Sequence, residues 1–448
     1  MKYMGFKDGR TGLLFGAAAI LLLAGSALGQ TATDNTFAPA EPGWFYRYLA
    51  RTVRVGASLR IRWESGQGSD FRTTPAPWYL LTRARLHAAF RPLSWLQIAA
   101  EGQDARAPFY RLKPSGSLAD PLDLRQAYVQ FGGPEDTVMG RIGRQELTLG
   151  SGRLIASLDW GNTARLFDVA DAQLNRDAVK LELVAGSIVQ IDPDRMNRHK
   201  PGEHFYAAYS TLPRLLPLGK VEPYVIYKTQ LNVKSKDGVL GDAGTLALGG
   251  RVTGATPLGL DYSVEAIREL GTYSSDLLRG IGFVGGAGYR LAALAGKPRF
   301  SAEYMYASGD DGRRDGHRET FDNMYGFNQP ANSLTGQFGW RNLKEGRFGV
   351  ELQPVSRLKA NFDFRDFSLA NTQDGLYNAL GVRTVFNPKA TSAHVGFGPD
   401  TQVSFAVRPA TSIGVGVGTL FPGEYLRQSG KNTGFFYPYA FVSRKFGK

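Results

Sequence analysis

From Val53 to Trp63 the chain alternates without a break. Val53, Val55, Ala57, Leu59, Ile61 and Trp63 are separated by Arg54, Gly56, Ser58, Arg60 and Arg62. Successive side chains of an extended strand point to opposite faces, so this period of two predicts a strand with one apolar and one charged face. The pattern returns at Leu80–Phe90, where Leu80, Thr82, Ala84, Leu86, Ala88 and Phe90 oppose Leu81, Arg83, Arg85, His87 and Ala89. Further strands are expected at Leu358–Arg365, Thr401–Val407 and Ile413–Gly418, the last with glycine at every second position. Weaker alternation runs through Trp95–Ala105, Gln126–Phe131, Val138–Gln145, Val179–Ala185, Glu222–Leu231, Leu246–Gly254, Leu260–Glu269 and Phe300–Ala307. Near the end, Phe435, Tyr437, Tyr439 and Phe441 take alternate positions and are expected to form an outward aromatic girdle.

One such strand fits a soluble sandwich as well as a membrane barrel. Recurrence is what separates the two. A repeat of roughly 20–26 residues, a strand plus its share of loop, gives about 16–20 strands along the chain. The expected fold is therefore all-β: a single antiparallel transmembrane β-barrel of about 18 strands. Closure is required, because an open edge in hydrocarbon leaves backbone N–H and C=O groups unpaired. The polar stretches Lys234–Asp242, Asp310–Thr320 and Gln329–Gly339 read as extracellular loops, and Arg91–Leu93 and Thr256–Gly259 as tight turns.

Composition fits this picture. The 55 glycines and 12% aromatics suit many short strands and turns. At the amino terminus, Lys2, Lys7 and Arg10 precede the apolar run Leu13–Leu23 and the small residues Ala27 and Gly29, the form of a secretory signal peptide. The run is too short for a transmembrane helix. The expected organisation is a signal peptide over 1–29, a polar lead-in over 30–50 and the barrel over 51–448, exported to a bacterial outer membrane. The absence of cysteine rules out a disulfide framework and a thiolate metal site. The net charge of +13 comes from arginines spread along alternating segments, not gathered in one block. That distribution argues against nucleic acid and for an acidic small molecule or polysaccharide as the partner, beside outer-membrane lipid.

Three segments resemble the alginate export family of outer-membrane porins. The first is Gly143-Arg144-Gln145-Glu146-Leu147, followed by Gly150 and Arg153-Leu154-Ile155, with Leu124-Arg125-Gln126-Ala127-Tyr128-Val129 upstream. The second is Trp160-Gly161-Asn162 leading to Arg165-Leu166-Phe167-Asp168. The third runs from Ser308-Gly309-Asp310-Asp311 through Thr320–Tyr325 to Phe367–Ala370, with Asp374 and Tyr377. The resemblance covers about residues 53–446. It implies one barrel of 18 strands with an arginine-rich channel for an anionic polymer such as alginate, and periplasmic secretion partners. A general small-solute porin is the alternative.

Alternation places Arg60, Arg62, Arg83, Arg85, Arg141 and Arg365 in the lumen, with Glu64, Glu101, Glu265, Glu303 and Asp363 beside them. The resemblance adds Arg144, Arg153 and Arg165. Guanidinium groups pair bidentately with carboxylate and stay charged, so a ladder of them can pass an anion along without trapping it. Each arginine could equally be a solvated lumen residue paired with one of these acids. Asp168 reads as an internal ion-pair or pore-constricting residue, or as a turn residue capping its own backbone. Asp310, Asp311 and Asp315 lack the spacing of a calcium loop and read as a solvated turn. The histidines His87, His199, His204, His317 and His394 form no metal or nucleophile motif, so no cofactor, metal or catalytic residue is expected. A barrel enzyme or adhesin is the remaining alternative.

Overall fold

The computed structural model describes residues 48–49, 51–68, 71, 73, 76–327 and 333–447. The leader over 1–29 and most of the lead-in lie outside the described residues. Among the described residues no helix is long and apolar enough to cross a membrane. Strands do so instead.

Eighteen antiparallel strands form the wall. In chain order they are β1 (Val53–Glu64), β2 (Tyr79–Leu93), β3 (Leu96–Arg106), β4 (Asp120–Phe131), β5 (Val138–Gln145), β6 (Phe167–Arg176), β7 (Val179–Gln190), β8 (Glu203–Leu216) and β9 (Gly219–Lys234). They continue as β10 (Leu240–Ala255), β11 (Leu260–Tyr273), β12 (Ile281–Arg290), β13 (Arg299–Ala307), β14 (Leu343–Val355), β15 (Leu358–Leu369), β16 (His394–Arg408), β17 (Thr411–Pro422) and β18 (Phe435–Gly447). Each pairs with the next, and β18 closes the cylinder by pairing Val442 with Ile61 and Ala440 with Trp63 of β1. Every wall strand thus has two neighbours, as hydrocarbon requires.

One end of the barrel carries short turns and the other long connections. The turns fall at residues 94–95, 177–178, 217–218, 256–259, 356–357 and 409–410, and the longest connections at 146–166, 308–342 and 370–393. The reversal expected at Arg91–Leu93 sits just beyond it, because β2 runs through Leu93, which pairs with Leu96. The expected loop Lys234–Asp242 shrinks to 235–239 as β9 and β10 extend into it.

The outward face follows the alternation. Val55, Ile61, Trp63 and Leu86 are exposed to the surroundings, whereas Arg62 and Arg83 are buried inside. The carboxyl-terminal aromatics correct the expectation. Phe435, Tyr437 and Tyr439 point into the lumen and are buried, while Phe436 and Val442 face outward. The cause is the neighbouring strand. Gly414 and Gly416 of β17 face inward, where a Cβ would overlap the rings of Phe441 and Tyr439, so the glycines make the room those rings fill.

Much of the lumen at the long-loop end is filled by apolar packing. Leu147, Leu149, Leu154 and Ile155 of the 146–166 connection join Phe321, Tyr325, Phe338 and Trp340 of the 308–342 connection against Phe167, Phe205, Ile226 and Ile267 of the wall. The two connections are stitched together by backbone bonds, Tyr325 N–H to Leu154 carbonyl at 2.8 Å and Ala156 N–H to Tyr325 carbonyl at 3.1 Å. Full burial of each large apolar side chain is worth about 1.5–3 kcal/mol, so these segments are held in place as a fixed part of the lumen.

Candidate functional site

The inward positions of β1 and β2 bring Arg60, Arg62, Arg83 and Arg85 side by side, since Arg60 pairs with Arg83 and Ser58 with Arg85 across the ladder. Four guanidinium groups so close need acceptors, and the 146–166 connection supplies them. Arg60 donates to the carbonyls of Asp159 at 3.1 Å, Trp160 at 3.3 Å and Gly161 at 2.8 Å. Arg83 grips the Asp159 carboxylate at 3.0 and 3.3 Å, and Arg85 reaches the same carboxylate at 2.9 Å and the Gln103 side chain at 2.8 Å. Arg62 donates to Glu64 at 2.5 Å and to the Trp160 carbonyl at 2.6 Å, with its guanidinium 4.8 Å from the Trp160 ring centre.

These residues line a cavity of about 580 Å³ with Arg125, Glu101, Glu146 and, toward the turn end, Lys445. A second cavity of about 750 Å³ lies toward the loops, bordered by Tyr110, Leu118, Arg165, Gln337 and Tyr437. Arg62 and Trp160 border both. The Trp160 ring is held edge-on against Tyr439 at 5.0 Å, so the indole and the Arg62 guanidinium stand where the two spaces adjoin.

The other expected residues fall into separate groups. Arg365 is buried among Glu345, Asp363 at 3.5 Å and Asp400 at 3.4 Å. Arg153 pairs with Glu303 at 2.9 Å, and Asp363 with Arg347 at 2.9 Å. Arg153, Arg347 and Arg365 with Glu303, Glu351, Asp363 and Asp400 line a small space of about 300 Å³ in which acids outnumber bases. Arg141 faces inward lower on β5, bound to Gln130 at 2.8 Å and lying over Tyr128. Arg165 is enclosed by carbonyls of Ala156, Tyr325 and Gly326; burial lowers its guanidinium to about 10, so it stays charged at neutral pH.

Arg144 and Asp168 occupy the outward face, which corrects their expected place in the pore. Arg144 pairs across the ladder with Ala127 on one side and Asp168 on the other, and Phe167 and Val169 take the inward positions beside Asp168. The pair is bonded at 2.8 and 3.1 Å and holds the Asn197 carbonyl at 3.0 Å. It ties the 191–202 connection to the rim. Asp168 is thus in an ion pair, but on the outward face and not an internal one.

Sequence reasoning missed Arg125, which bridges Glu101 and Glu146 and is about 1% exposed. Strict alternation from Phe131, Val129 and Ala127 would turn it outward, but the register shifts at Glu101/Gly102 and brings it in. Asp159 was equally invisible, because a loop has no period to read. The aspartates of 310–318 are engaged locally: Lys236 Nζ lies 2.7 Å from Asp310 and 3.8 Å from Asp315.

A closed barrel with lipid-like residues outside and charged cavities within defines an outer-membrane channel. Comparison with known proteins agrees. The alginate export family model matches residues 51–439, and the chain belongs to that family. The fold is similar to Pseudomonas aeruginosa OccK1 (OpdK), with 11% identity, 88% of this chain and 99% of that chain covered and a TM-score of 0.62. It is also similar to OpdK of the same organism solved with vanillate, at 10% identity, 88% and 99% coverage and a TM-score of 0.63. OccK2 (OpdF) of that organism, solved in complex with glucuronate, gives 10% identity, 88% and 98% coverage and a TM-score of 0.61. None of the curated proteins matches the chain in sequence.

Proposed function

We propose that the barrel conducts small anionic solutes, uronate-like carboxylates foremost, through the arginine cavity. The observation that carries this reading is the convergence of Arg60, Arg62, Arg83, Arg85 and Arg125 on one cavity of about 580 Å³. Planar guanidinium groups match carboxylates in geometry and charge. The protein does not fill all of their hydrogen-bonding capacity: Nε of Arg60, one terminal nitrogen of Arg85 and Nε of Arg125 are buried without a partner.

The cavity size and the filled loop end favour a monomer or short oligomer over a long polymer. The membership in the alginate export family supports a uronate as the repeating chemistry, and two fold neighbours were solved with carboxylates, vanillate and glucuronate. A polymer route stays compatible with that membership and requires the 146–166 and 308–342 connections to move aside. Proteoliposomes carrying the full chain are expected to take up glucuronate and its dimer faster than glucose. Equal rates for the acid and the neutral sugar would overturn the reading; rapid uptake of a long uronate polymer would replace it with the polymer route.

A further inference from the structure

The outer wall over β8 to β12 carries a shallow apolar hollow of about 750 Å³. Its floor is made of small side chains, Ala208, Ser210, Gly250 and Ala266, and Leu248 and Phe283 stand at its sides. Cross-strand pairing sets these on the lipid-facing side: Val225 opposes Ala208 and Leu248, and Ala266 opposes Gly250 and Phe283. Arg268 belongs to the same face, between Leu248 and Ile281, and also borders the hollow.

A guanidinium on a lipid-facing wall is costly unless an anion or the interface receives it. Arg268, half-buried, donates to the backbone carbonyl of Arg279 at 3.5 Å, and Arg279 is exposed in the connection at the long-loop end, alternating with the exposed Leu277 and Ile281. No ion pair with a carboxylate joins either arginine among the described residues. Short turns mark the periplasmic end of such barrels and long loops the outside, so the two cations lie on the outer-leaflet side.

We infer that this surface binds a phosphorylated glycolipid of the outer leaflet, one acyl chain lying in the hollow and a phosphate between Arg268 and Arg279. Arginine is suited to phosphate by its planar set of donors. The small residues of the floor give the acyl chain a seat; a second hollow with small residues, Gly140, Ala170, Ala172 and Ala185, is smaller at about 320 Å³ and has no cation among its lining residues. A second copy of the barrel docked through a two-fold axis on this face would bring its own Arg268 and Arg279 to the same interface, and the like charges disfavour it. The site is on the opposite side of the wall from the lumen, so it stands or falls apart from the conduction reading.

The test is native mass spectrometry of the full-chain barrel in nonionic micelles, titrated with diphosphorylated lipid A, its dephosphorylated form and phosphatidylglycerol. One retained diphosphorylated lipid per barrel is expected, with binding about tenfold weaker for the other two and for R268Q/R279Q. Gly250→Leu, at a position where an added Cβ meets no atom within 4 Å, is expected to fold normally and to lose the lipid by filling its seat. Undiminished retention by R268Q/R279Q, or equal binding of all three lipids, overturns the proposal. So does a Gly250→Leu barrel that changes its oligomeric state and keeps the lipid.

Discussion

Reversing charge in the arginine cavity should reverse the ion preference of the pore. Six cations and three carboxylates line the space, and Glu64 behind Arg62 leaves a surplus of two positive charges. Two unit charges about 6 Å apart in water interact by about 0.7 kcal/mol. A surplus of two then gives about 1.4 kcal/mol, which falls to about 0.7 kcal/mol at 0.1 M salt, where the screening length is about 10 Å. An anion gains this much and a cation loses it, so permeabilities should differ on the order of tenfold. R60E/R85E turns the surplus of two into an equal deficit, and the preference should swing to cations by a similar factor. The assay is the reversal potential of single barrels in a planar bilayer under a potassium chloride gradient. Heat-dependent gel migration shows that the variant is folded, and Arg313→Glu, on an exposed loop side chain away from the cavity, serves as the control. An unchanged reversal potential in folded R60E/R85E would refute the reasoning, because it would mean that ions do not pass this cavity.

Three further outcomes are expected. Trp160→Ala removes the ring that borders both cavities and should raise single-channel conductance severalfold; no change would show that the narrowest point lies elsewhere. Asp322→Asn leaves the buried Lys228, at 2.5 Å, and the half-buried Arg341 without a countercharge, at a cost of about 3–5 kcal/mol, and should make the 308–342 connection sensitive to proteolysis. In the native chain burial works to raise the Asp322 carboxyl, but Arg341 and Lys228 more than offset it and hold it well below the usual range. Its contribution is therefore complete above the unfolded value of about 3.9 and is lost only as pH falls through the lower folded value, so protection at pH 4.5 should match that at pH 7. Gly143→Val puts a β-branched residue at φ 133, where a Cβ would overlap the Ala127 carbonyl. A backbone penalty of about 1–3 kcal/mol plus the clash is expected, read as a lower midpoint of urea unfolding.

The sequence by itself determined the wall. A period of two is imposed by the extended backbone and needs no knowledge of neighbours, so Val53–Trp63 and Leu80–Phe90 could be read as two-faced strands, and their recurrence gave a barrel of about the observed strand number. It also placed Arg60, Arg62, Arg83 and Arg85 inside, because each lies opposite an apolar residue on its own strand. What alternation alone could not decide is which face is which once both carry apolar residues. Phe435, Tyr437 and Tyr439 look like a girdle until the glycines of β17 and the filling loops make the lumen itself apolar there.

Only the tertiary structure decided how charges are spent. Arg365 and Arg153 share the chemistry of Arg60 and Arg85, yet they meet Glu345, Asp400 and Glu303 from other strands and are neutralised, whereas the β1–β4 group keeps a surplus. A single-residue register shift turns Arg125 inward, and cross-strand pairing sets Arg144 and Asp168 outside. The loops are the extreme case: Asp159 and Trp160 lie about a hundred residues from Arg60 and Arg62, and no local pattern reports a contact across that separation. Strand direction is a local property of the backbone, but the electrostatics of a lumen is set by which distant segments share it.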